Sequence, residues 1–214
     1  HVDYEKFSKN RLPLLHKAYE RSNISQDPDF VAFCKDNHWW LDDYALFMAL
    51  KGKFQGRCWQ DWSISLMMRI PEVIDTFRND LKAEIDFQYF LQYQFFRQWT
   101  ALRQYANQNG IKIIGDVPIY VPLDSADVWA NPKNFALDAA RRPLAVAGCP
   151  PDSFSADGQR WGNPLYDWQA MKQSGYKWWI QRLKAAARMY DVVRLDHFRG
   201  FESFWAIPAQ KKTA

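Results

Sequence analysis

The sequence predicts an α/β protein, and three observations carry the prediction. Residues 3 to 109 are patterned as helix with no evident strand. Two short β-branched runs follow, IKIIGDVPIYV from Ile111 and VVRLDHF from Val192, and a helical period stands directly before the second. Strand, crossover helix, strand is the order from which parallel sheets are built.

In chain order, Asp27-Pro28 reads as a helix N-cap followed by proline at the first helical position. The clearest helical span runs from Pro71 to Asn109, with Val73, Phe77, Leu81, Ile85, Phe95, Trp99 and Leu102 near a 3.6 period. The spacing allows two helices bent near Asp86, and Gly110 ends the span. IKIIGDVPIYV then has the composition of a buried parallel strand. Residues 121 to 174, dense in Pro, Asp, Asn, Gly and Trp, read as one long loop with only short regular pieces. Loops of that length are uncommon unless they shape a site. A helix over Gly175 to Tyr190 presents Trp179, Leu183, Ala186 and Tyr190 on one face and leads into the strand VVRLDHF.

Composition narrows the function. The 214 residues are 48% apolar, enough for a core, and the formal charge of +4 is spread among acids without a basic run, which argues against nucleic acid as a partner. Three distant cysteines, Cys34, Cys58 and Cys149, with no metal-like spacing, suit buried thiols in a reducing cytoplasm. No run approaches the ~18 apolar residues of a membrane span and no signal-peptide pattern opens the chain, so no membrane partner and a cytoplasmic location are expected. Beginning at His1 in mid-pattern and ending in AIPAQKKTA, the chain reads as a segment of something longer.

Both strands run into a carboxylate, Asp116 in IIGD and Asp196 in VVRLD, and parallel neighbours would bring these to one rim. Arg194 stands two residues before Asp196, on the same strand face. A guanidinium there favours an ionised carboxylate, as a nucleophile needs, but a structural Arg–Asp pair would look the same. His197 reads as a hydrogen-bonding residue rather than a metal ligand, since no second His or Cys stands at ligand spacing. Trp129 and Trp161 lie among Asp127, Asn131, Asp152, Asn163 and Asp167, a mixture of flat apolar rings and polar groups that suits a sugar; packing of the loop is the alternative.

Three stretches, GDVPIYVPLDSADVW (115 to 129), PPDSFSADGQRWGNPLYDW (150 to 168) and VVRLDHFRGFESFWAIPA (192 to 209), closely resemble the 4-α-glucanotransferases of the amylomaltase, or disproportionating-enzyme, family within the α-amylase clan. WLDDYALFMALK (40 to 51) and RCWQDW (57 to 62) are similar to its helical region, so the resemblance covers essentially the whole chain. It implies a (β/α)8 barrel with helical insertions, of which this chain carries about strands 3 and 4. Residues 1 to 109 would be the mainly helical region, and 110 to 214 the barrel strands with the loop 121 to 174. It also implies transfer of α-1,4-glucan segments between malto-oligosaccharides, with no cofactor and no metal.

Carried over by position, the resemblance makes Asp196 the nucleophile of a retaining mechanism, with Arg194, His197 and Asp116 holding the transferred sugar. Asp152, Phe154, Trp161 and Asn163 become contacts of a flexible loop over the acceptor side; many relatives carry tyrosine where this chain has Ser153. The family's acid/base glutamate lies beyond the fifth strand, outside the chain, and Glu202 follows the nucleophile too closely to replace it. An α-amylase-clan hydrolase would share R-x-D-H but not the PPDSFSADGQRWGNP loop, and a noncatalytic carbohydrate-binding fragment is the other alternative.

Overall fold

The computed structural model describes residues 3–153 and 155–214, without the side chains of Glu5 and Ser8. Two compact units divide the chain: residues 1–56 with 70–99, and residues 57–69 with 100–214.

The first unit is helical. Helix α1 (Tyr4–Arg21) begins at Asp3, whose carboxylate accepts from the Lys6 N–H at 2.9 Å. Helix α2 (Pro28–Lys53) starts as the Asp27-Pro28 signal predicts, with the Asp27 side chain accepting from the Asp29 N–H at 2.9 Å. Its second half buries Leu41, Ala45, Leu46 and Leu50 completely, residues that span about half of the helix circumference. A four-residue helix α3 (Ile64–Met67), assigned to the second unit, comes next in the chain.

The Pro71 to Asn109 span is two helices, α4 (Pro71–Asp80) and α5 (Lys82–Gln108), separated at Leu81 rather than near Asp86. The break changes the buried face. Counting 100° per residue, Phe95 lies about 140° and Leu102 about 120° away from Phe90, and both are exposed. Ile85, Phe87, Phe90 and Tyr93 are buried instead, with Phe33 of α2 packed on the Tyr93 ring at 5.6 Å. Helix α5 continues into the second unit and ends at Gly110 in the left-handed conformation. There the Gly110 N–H donates to the Asn107 carbonyl and the Ile111 N–H to that of Ala106. These paired bonds return the last turn's orphan carbonyls to the chain.

The predicted strands appear as β1 (Ile114–Val117) and β4 (Val192–Leu195), paired in parallel with Asp116 opposite Arg194 and Val117 opposite Leu195. The connection includes helix α7 (Trp168–Gln173) and the crossover helix α8 (Lys177–Met189), which buries Trp179 and Ala186. Gly115 is required in β1 because any side chain there would overlap the Tyr190 ring. Below this pair Asp191 is a junction: it accepts from the Ile113 N–H at 2.8 Å, Asn107 Nδ2 at 2.8 Å and Arg103 Nε at 2.9 Å.

The region read as one long loop is more ordered than its composition suggests. It holds helix α6 (Ala126–Ala130) and strands β2 (Ala145–Cys149) and β3 (Gln159–Pro164). With β5 (Trp205–Pro208) these make a three-stranded antiparallel sheet in the order β3-β2-β5. Glycine and proline in AVAGC and QRWGNP hide the strand signal, and the pairing of β2 with β5 joins residues about 60 positions apart. Trp129 is core rather than a sugar platform: it is 1% exposed, its indole N–H donates to the Leu66 carbonyl at 3.2 Å, and it meets the Trp62 ring edge-on. None of the three cysteines forms a disulfide, and each is half-buried rather than fully buried.

Candidate active site

The site is built at the carboxyl end of β1 and β4. Register places Asp116 and Arg194 side by side, and period-two alternation turns Arg194 and Asp196 to the same face. The Arg194 guanidinium grips Asp116 with two bonds, Nε to Oδ1 at 3.0 Å and Nη2 to Oδ2 at 2.7 Å. The same Nη2 donates to Asp196 Oδ1 at 3.1 Å. One guanidinium therefore sets the distance and orientation of two carboxylates. It also holds the Asp116 carboxyl below the usual aspartate range, chiefly through these hydrogen bonds.

All three side chains are more than half exposed, so the cluster adds little to stability. Its significance is geometric. Asp196 itself extends the parallel ladder, its N–H donating to the Val117 carbonyl at 3.1 Å. The chain then turns at His197, which adopts the left-handed conformation with φ of 48°, and closes a short 3-10 turn over Phe198–Phe201. Gly200 permits that turn, since a Cβ there would stand 2.8 Å from both His197 Cδ2 and Ile119 Cδ1.

An aromatic wall adjoins the carboxylates. The His197 ring meets Trp161 at right angles, centroids 5.2 Å apart, and Tyr120 lies 6.5 Å from His197 and 6.4 Å from Trp161. Trp161 is 39% exposed, so part of its indole face is open to solvent, as stacking on a sugar requires. Tyr120 is buried behind it, and burial pushes its hydroxyl up to about 12.

The remaining predicted contacts divide. Asn163 ties β3 to the segment after β1, its Nδ2 donating to the Val121 carbonyl at 3.0 Å. Asp152 is engaged in its own loop, accepting from the Ser155 N–H at 2.8 Å while its own N–H donates to the Ser155 carbonyl. Phe154 lies outside the described residues. Glu202 is exposed at the end of the 3-10 turn.

Two supports escaped the sequence reading. Arg182 of α8 donates to the Pro118 carbonyl at 2.6 Å and the Ile119 carbonyl at 3.1 Å, and its guanidinium lies over the Trp179 ring at 4.8 Å. Tyr166 Oη donates to the same Ile119 carbonyl, and its ring stacks on Tyr120. Together they hold the corner that leaves β1 and carries Tyr120 to the wall. Nothing in the local pattern around Arg182 signals a contact made 63 residues away.

A parallel α/β unit with two carboxylates gathered at its carboxyl rim defines an α/β protein whose site lies where barrel proteins carry theirs. The family model for 4-alpha-glucanotransferase matches residues 1–214, and the chain belongs to that family. It is 45% identical over 214 residues to a 4-alpha-glucanotransferase of Clostridium butyricum, covering all of this chain and 44% of that protein. Identity to the 4-alpha-glucanotransferase of Thermus thermophilus is 46% over 217 residues, covering all of this chain and 43% of that protein. Among solved structures, amylomaltase from Streptococcus agalactiae in complex with acarbose superposes with a TM-score of 0.92 at 40% identity, over 99% of this chain and 43% of that one. The chain thus spans less than half the length of these relatives, and its fold is part of a (β/α)8 barrel with helical insertions.

Proposed function

We propose that the enzyme to which this chain contributes is a 4-α-glucanotransferase that disproportionates malto-oligosaccharides and related α-1,4-glucans by retaining double displacement. Asp196 attacks the anomeric carbon while an acid protonates the departing glycosidic oxygen, leaving a covalent glycosyl-enzyme. A sugar hydroxyl, deprotonated by the conjugate base of that acid, then displaces Asp196 and forms the new glycosidic bond. Arg194 sets the rotamer of Asp196, and Asp116 and His197 bind the transferred sugar. Asp116 is unsuited to be the acid, because Arg194 favours its ionised form. The proton donor is assigned to a carboxyl group outside residues 1–214.

The exposed indole of Trp161 stacks on the acceptor glucan, with Asp152, Phe154 and Asn163 as further contacts from the same loop. Residues 1–109 serve as the helical region and 110–214 as the barrel strands with their loop 121–174. We assign the enzyme to maltodextrin or glycogen metabolism in the cytoplasm, where cysteines outside disulfides, such as Cys34, Cys58 and Cys149, stay reduced. No described helix is long and apolar enough to cross a membrane.

The observation that carries the mechanism is the double grip of Arg194 on Asp116 and Asp196 beside the His197–Trp161 wall. The test is Asp196→Asn at the relatives' full length. The amide keeps the shape but cannot form the ester, so transfer from maltotriose should fall below detection while malto-oligosaccharide affinity changes little. Near-wild-type glucose release by the variant would refute the assignment.

A further inference from the structure

Away from the carboxylate cluster, the second unit holds a cavity of about 360 Å³ whose lining includes Arg69, Lys133 and Arg141. Among the described residues that line it, none is acidic. Like charges around one cavity raise its potential, and an anion bound there is attracted to all of them. Arg141 is the most telling of the three. Its Nε is buried with no protein acceptor within hydrogen-bonding distance, although a buried charged donor left unmatched is costly. Its neighbour Arg142 is in the opposite condition, pairing with Asp138 at 3.2 Å.

The arginines are held in place by other bonds. The Arg141 backbone sits in the left-handed region at φ of 61°, and its carbonyl accepts from Gln60 Nε2. The Arg69 backbone is also left-handed, at φ of 57°, and its guanidinium lies 4.2 Å over the buried Trp129 ring. Bulky residues adopt that conformation only where the surroundings enforce it. Met67 and Met68 supply an apolar side to the cavity.

We propose that this cavity is a binding site for a phosphate group, carried either by inorganic phosphate or by a sugar monophosphate. Guanidinium N–H groups match tetrahedral oxyanions in geometry as well as charge, and the exposed Lys133 adds an ammonium to the lining. The volume holds a phosphate with room to spare and falls at the small end of ligand pockets, roughly 300–1,000 Å³. Neither Asp196 nor Arg194 takes part, so the site is independent of the transfer chemistry.

Calorimetric titration tests it on the full-length enzyme at neutral pH, with inorganic phosphate and glucose 6-phosphate each added at constant ionic strength against chloride. One equivalent should bind with a Kd of millimolar or tighter. Arg141→Gln should weaken binding at least tenfold and Lys133→Gln several-fold, whereas Lys184→Gln on the exposed face of α8 should leave it unchanged. If Arg141→Gln does not fold, Arg141→Lys together with Lys133→Gln decides the matter. Tighter binding of glucose 6-phosphate than of phosphate identifies a sugar monophosphate as occupant, and equal binding identifies the free ion. No heat beyond the chloride control, or equal affinity in the wild type and both cavity variants, would overturn the proposal.

Discussion

Arg194 offers a rigid planar fork of N–H donors, and three hydrogen bonds from it fall on two carboxylates. A lysine in its place keeps the charge but cannot make the paired grip on Asp116 and reach Asp196 as well. At full length, Arg194→Lys is therefore expected to lose at least about tenfold in kcat/KM, since bidentate positioning is lost with the charge retained. Arg194→Ala should lose more. The same fork lowers the Asp116 titration, so any stability this group contributes is present above its unfolded value of about 3.9 and disappears as pH falls through the lower folded value. In Arg194→Ala the Asp116 midpoint, followed by carboxyl NMR, should move up toward about 3.9. A midpoint that stays depressed would mean that another group holds Asp116.

At the scale of elements, the site depends on β1 and β4 keeping their register, and Asp191 pins that register from the opposite end. One carboxylate accepts from the end of α5 through Asn107 and Arg103, and from the start of the β1 segment through the Ile113 N–H. These bonds, the Ile113 N–H first among them, hold its pKa down to about 2. A depressed carboxyl pKa gives a stabilisation that is complete above the unfolded value near 3.9 and is lost as pH falls toward 2. Asp191→Asn should lower Tm at neutral pH and flatten its decline between about pH 4 and pH 2, as thermal melts across that range would record. A variant with unchanged melting at pH 7 would show that the junction is held by Arg103 and Asn107 without it. The opposite end is clamped by Arg182 and Tyr166 on the Pro118 and Ile119 carbonyls, so both ends of β1 are fixed by side chains distant in sequence.

For the molecule as a whole, the 214-residue polypeptide by itself should not turn over maltotriose. The nucleophile candidate is present, but the carboxyl closest to it in the hydrogen-bond network is Asp116, which Arg194 keeps ionised. Loss of general acid help costs roughly 10²- to 10⁴-fold, and groups acting as a unit fail together. Chromatography of maltotriose incubated for a day with the purified chain should show no glucose or longer products. Product formation abolished by Asp196→Asn would identify a proton donor within these residues, with Glu202 the first to substitute. Parallel pairing is also minimal: among the described residues the parallel sheet holds β1 and β4, with Ile114 and Val192 exposed beside them. Edges of this kind favour association, so size-exclusion chromatography should find the isolated chain self-associated.

The sequence by itself determined what depends on local periodicity and on chemistry packed into a few residues. The Asp27-Pro28 cap, the left-handed stop at Gly110, the strands at Ile114 and Val192 and the shared face of Arg194 and Asp196 all follow from rules that reach no further than one turn or one pleat. Tertiary structure decided the rest, because those features are contacts between distant residues. The fork of Arg194 reaches Asp116, 78 residues earlier, with a better fit than it has to Asp196 beside it. Trp129 and Trp161 stand in similar polar surroundings along the chain, yet one fills the core under Arg69 and the other faces His197 and solvent. Strand β2, made of small residues, and β3, which carries glycine, asparagine and proline, have weak propensity of their own, and β5 joins their sheet from beyond the turn at Asp196 and His197. Burial and partner choice are properties of the packed chain, and no window of neighbouring residues contains them.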